Sequence, residues 1–108
     1  MIDLQIDTEA YDLDDDLRTK IEDRIGGLDE FMDTLDRGHV TVSWEGGQNE
    51  QTRIRAQLQG GGHHFEASDT DWKPNAAVDA TRDKLEKQIH SARSKAKDAR
   101  DHGGHGHG

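Results

Sequence analysis

The sequence has no cysteine, one proline and five aromatic residues in 108. Without cysteine there is no disulfide scaffold, no thiolate metal site and no cysteine nucleophile. No stretch approaches the roughly 18–20 apolar residues that a membrane-spanning helix needs, so no membrane partner is expected. The opening MIDLQIDTEA has neither the basic nor the apolar region of an export signal, which makes the cytoplasm the expected location. HExxH, Walker, GxSxG and calcium-loop patterns are missing. Hydrophobic residues make up only 30% of the chain against 34% charged. Any core must therefore be small.

What is present is charge, unevenly placed. The net charge is −9. Residues 1–36 hold 13 acids and 3 bases, whereas residues 73–108 hold 5 acids and 8 bases. The net charge argues against indiscriminate binding to nucleic acid, and no DNA partner is expected; the acidic front and basic back point to a partner surface at the basic end.

The apolar residues keep a regular spacing. In 2–7, Ile2, Leu4 and Ile6 alternate with polar residues, which predicts a half-buried strand. Leu13, Leu17, Ile21, Ile25 and Leu28 then form a stripe at helical period. Asp12 or Asp14 is placed to cap that helix, and the pattern continuing through Phe31, Met32 and Leu35 predicts a helix from about 13 to 34, bent at Gly26-Gly27. Alternation returns in 39–45, 51–59 and 63–69, separated by Gly46-Gly47-Gln48-Asn49 and Gly60-Gly61-Gly62, an antiparallel meander with one apolar face. Pro74 breaks the chain, and Val78, Leu85, Ile89, Ala92, Ala96 and Ala99 mark one face of a second long helix from about Asn75. The order β-α-β-β-β-α predicts an α+β two-layer sandwich, two helices on one face of a four-stranded sheet. It is read as one domain over 1–101 with a disordered Gly/His tail over 102–108.

Few residues suggest chemistry. The cluster Asp12, Asp14, Asp15 and Asp16 reads as helix capping and solvated surface. His63 and His64 are adjacent in a strand and so face opposite ways, and His102, His105 and His107 lie in a glycine-rich stretch without fixed geometry. No metal and no cofactor is expected. The second helix is more telling. Stepping ~100° per residue from Leu85, Arg82, Arg93 and Arg100 fall on one flank with Lys97 beyond them. Lys84 and Lys95 take the other flank and Lys87 points outward. Arg18, Lys20 and Arg24 of the first helix can join the same surface. Such a helix, about 40 Å long, reaches several phosphates of an RNA backbone.

The segment AAVDATRDKLEKQIHSARSK (76–95), with Ala77-Val78-Asp79, Lys84-Leu85-Glu86 and Gln88, together with the element order, resembles the ribosome hibernation-promoting factor family. This is the family of ribosome-associated inhibitor A and of the sigma-54 modulation proteins, and the likeness covers about residues 1–98. The resemblance implies a bacterial stress protein that is not an enzyme. It implies a chain, monomeric off the ribosome, that binds the small ribosomal subunit through 16S rRNA near the decoding region and blocks messenger and transfer RNA. By position Lys84 and Lys87 match basic positions of the family, with Arg82, Arg93, Lys95, Lys97 and Arg24 as additions. Asn75 stands where relatives often carry tyrosine, and the acidity exceeds that of known short members. The chain resembles the short form, without the further domain that pairs ribosomes. Two other readings stay open: a same-fold protein-interaction module whose acidic first third docks on a basic protein, and a metal-handling protein using the histidine tail.

Overall fold

In the computed structural model the described residues are 2–46 and 51–105, the last ten of them as backbone only. The elements are β1 (Asp3–Glu9), α1 (Asp15–Arg24), a single 3-10 turn (Leu28–Glu30), β2 (Arg37–Glu45), β3 (Gln51–Gly60), β4 (His63–Asp71) and α2 (Pro74–His105). One four-stranded sheet runs in the order β1-β2-β3-β4. The α+β sandwich read from the sequence is the architecture found.

The meander forms as expected, with β2–β3 and β3–β4 antiparallel. Gly60, Gly61 and Gly62 all have positive φ, at 155°, 57° and 81°. Gly61 and Gly62 thus close a two-residue hairpin whose central positions both need the left-handed region, where glycine carries no Cβ penalty. The other expected turn, Gly46-Gly47-Gln48-Asn49, lies beyond Gly46 outside the described residues. β1 pairs with β2 in parallel, Asp3 opposite Arg37 through Glu9 opposite Ser43. A parallel neighbour requires a crossover, and α1 supplies it.

The first helix is shorter than its periodicity predicts. It starts at Asp15, capped by the Asp14 carboxylate, which accepts from Leu17 N–H at 2.7 Å. It ends at Arg24 rather than near residue 34. Two features stop it. The N–H groups of Ile25 and Gly26 both point to the Ile21 carbonyl, and the Gly26 carbonyl accepts from Ile2 N–H at 3.0 Å, which ties the chain to the start of β1. A Cβ at Gly26 would lie 2.3 Å from the Glu22 carbonyl oxygen, so the tight exit needs glycine there. Ile25, Leu28 and Leu35 are still buried. Their spacing reflects burial by a run of turns, not by a continuous helix.

The core lies between sheet and helices. Val40, Val42, Ile54, Ala56 and Leu58 from the sheet meet Leu17, Ile21, Val78, Leu85 and Ile89 from the helices. α2 covers β3 and β4 and packs beside α1, to which the Lys20–Asp79 ion pair (3.1 Å) links it. Among the described side chains of α2 the last fully buried one is Ile89. At 32 residues α2 is about 48 Å long against about 30 Å for the nine residues of β4, so its later turns overhang the sheet. The helix takes in residues 102–105 of the stretch expected to lack structure. Once nucleated, a helix gains one hydrogen bond for each residue added. Residues 106–108, with His107, lie outside the described residues.

Candidate nucleic-acid interface

All but one of the cations that the resemblance singles out lie along α2, and Arg24 lies at the end of α1. The apolar stripe of α2 faces the sheet, which leaves the lysines and arginines to flank it or to face away. The structure divides them by what they touch.

Three are engaged within the fold. Arg82 is 24% exposed in its side chain and is held by Glu86 one turn on and by Asp83, with its guanidinium 5.8 Å from the Phe31 ring. Arg93 donates through Nη1 to the Phe31 carbonyl oxygen at 2.7 Å. His90 meets the same ring edge-on at 5.0 Å. Arg82, His90 and Arg93 therefore clamp Phe31, in the segment that replaced the expected second half of α1. Lys84 turns to the sheet, where Nζ lies 3.1 Å from Asp69 Oδ2 and donates to the Ser68 carbonyl at 3.0 Å.

Three of the others are free to meet a partner. Lys87 and Lys95 are exposed and have no ion pair or hydrogen bond among the described residues. They stand eight residues apart on α2, a rise of about 12 Å. Arg24 is likewise exposed and unpartnered at the end of α1. The side chains of Lys97 and Arg100 lie outside the described residues.

The alternation of the strands also produces a second polar surface. The sheet face away from the helices carries Gln5, Asp7, Arg37, His39, Arg53, Arg55, Gln57 and Gln59. Its charges are largely spoken for across strands: Arg55 with Glu66 (2.6 Å), Arg53 with Glu45 (2.9 Å) and His39 with Asp7 (2.6 Å). Arg37 is the exception, only 3.9 Å from Asp36, at the rim of a recess lined by Gln5, His39, Gln57 and Gln59. Among the described residues no three His, Asp or Glu side chains converge as a metal site would require.

The arrangement offers charge and shape to a partner. Known structures share its fold. A ribosomal subunit interface protein from Coxiella burnetii superposes with a TM-score of 0.75 at 17% identity, covering 86% of this chain and 99% of that one. The N-terminal domain of Protein Y from Thermus thermophilus gives 0.72 at 23% identity, covering 82% and 96%. No curated protein matches the sequence. The family model described as sigma 54 modulation protein / S30EA ribosomal protein matches residues 4–97. That span takes in all but the first residue of the sheet, all of α1 and α2 as far as residue 97, and the chain belongs to this family.

Proposed function

We propose that this protein is a ribosome hibernation factor, binding the small subunit through 16S rRNA near the decoding region and excluding messenger and transfer RNA under stress. The observation that carries the reading is the pair Lys87 and Lys95, exposed and unpartnered among the described residues on a helix whose Arg82, Lys84 and Arg93 are tied into the fold. Family membership and the fold of the interface proteins support it. Cations spaced along one helix neutralise phosphates without reading bases, so shape and charge suffice, and the action is binding without catalysis. Arg24 and Lys97 extend the same surface. Arg82, Lys84 and Arg93 contribute through their outer edges and by fixing the helix.

With a net charge of −9, long-range attraction to RNA is weak, and contact depends on this local patch. Chemical footprinting of 16S rRNA in small subunits saturated with the protein tests the placement. Protection clustered at the decoding region, with displacement of bound transfer RNA, is expected. Protection confined to sites away from the messenger path overturns it. Binding that survives loss of the α2 cations would favour the acidic first third as the working surface.

A further inference from the structure

Among the described residues the two large apolar side chains that remain exposed are both tryptophans, Trp72 at 69% and Trp44 at 40%. In a chain with five aromatics this is a conspicuous use of them. The sheet register brings them to one end of the molecule. Trp44 lies opposite Thr52, and Thr52 opposite Asp71, the residue before Trp72. Tyr11 reaches the same end from the β1–α1 connection, its ring 6.4 Å from that of Trp44 and tilted by 43°. Trp44 belongs by alternation to the apolar face, yet the core does not extend beneath it.

Charge decides what such a surface accepts. Tyr11 is followed by Asp12 and by the run Asp14-Asp15-Asp16; Glu45 follows Trp44 and Asp71 precedes Trp72. Asp12, Asp15 and Asp16 are exposed and unpartnered among the described residues. A phosphate backbone is repelled here, and so is a second copy of the same surface. A cation is attracted by the carboxylates and by the faces of the rings. Lys73 already shows the preference of the ring for a cation, with its ammonium 5.1 Å from the centre of the Trp72 ring while its backbone N–H donates to Asp71 Oδ1 at 2.9 Å. Tryptophan and tyrosine are also the residues that most often anchor protein interfaces.

We infer that the Tyr11–Trp44–Trp72 end is a docking surface for an arginine-rich extended protein segment, with guanidinium groups stacked on the two indoles and paired with Asp12, Asp15 and Asp16. It is separate from the RNA-facing cations, since Lys87 lies about 20 Å along α2 from Pro74. The two surfaces are oppositely charged, and neither requires the other.

The test uses the full chain with its two indole N–H resonances as reporters. A short peptide of alternating arginine and glycine is the probe, against its glutamate counterpart and single-stranded oligouridine. Selective, salt-sensitive shifts of both indoles with the arginine peptide are expected. Trp72→Ala should weaken binding roughly tenfold, and Trp72→Phe, which keeps a ring, by less. Equal shifts with the glutamate peptide, preference for oligouridine, or unchanged affinity in Trp72→Ala would each overturn the inference.

Discussion

The side-chain amide of Gln88 makes both hydrogen bonds that a neighbouring strand would make with Glu66: Oε1 accepts from the Glu66 N–H at 3.2 Å and Nε2 donates to the Glu66 carbonyl at 2.7 Å. One turn earlier Lys84 donates to the Ser68 carbonyl. Two side chains of α2 thus occupy backbone groups on the outer side of β4, an edge strand that would otherwise invite pairing with another chain. Gln88 and Lys84 belong to the segment that carries the family likeness, and their contacts give part of that signature a structural cause.

Gln88→Ala should cost about 1 kcal/mol, the net worth of the lost hydrogen bonding at a partly solvated edge. For a domain of this size the melting temperature should fall by about 4–8 °C, with a greater tendency to self-associate. Thermal unfolding and light scattering check both effects.

Lys84 and Lys87 are three residues apart and should separate by assay. Lys84→Ala removes an ion pair with Asp69 and a contact to the sheet edge, so a small loss of stability, under about 1 kcal/mol, is expected. Lys87→Ala should leave the melting temperature unchanged and reduce the salt slope of ribosome binding by about one ion. Denaturant unfolding and salt-dependent binding, run on both variants, distinguish the roles.

Thr52 is fully buried between Trp44 and Asp71, and its hydroxyl has no partner among the described residues. A buried hydroxyl without a partner loses its hydration for nothing in return. Thr52→Val keeps the shape and the branching at Cβ, and should raise stability by about 1 kcal/mol. A denaturation midpoint equal to or below that of the parent would contradict this.

Gly60 has φ of 155°, and a Cβ there would lie 2.1 Å from the Thr34 carbonyl oxygen. The obstacle is backbone and cannot swing away. Gly60→Ala should therefore destabilise by about 2–4 kcal/mol, measurable as a large drop in the unfolding midpoint.

Alternation made the strands legible, since Val40, Val42, Ile54, Ala56 and Leu58 sit on the buried face where period two puts them. The glycine hairpin was legible for the same local reason. The end of α1 was not. Ile25, Leu28 and Leu35 are buried as a helical stripe would bury them, and apolar spacing alone does not separate one long helix from a helix followed by turns. The parallel placement of β1 was likewise unread. At the candidate site the wheel put Lys87 outward, where it stands. It could not show that Lys84 bends to Asp69, or that Arg93 reaches across 62 positions in sequence to the Phe31 carbonyl. Those partners are remote in the chain, and only the packed fold brings them together.

The central claim is tested most directly by sedimenting the 108-residue protein with vacant bacterial small subunits through sucrose, at low and at moderate salt, beside Lys87→Glu, Lys95→Glu and the double variant. The account predicts co-sedimentation at low salt, marked weakening at moderate salt, and loss in the doubly reversed protein while its melting temperature is kept. Protein that stays in the supernatant at low salt, or binding that charge reversal leaves intact, would contradict it.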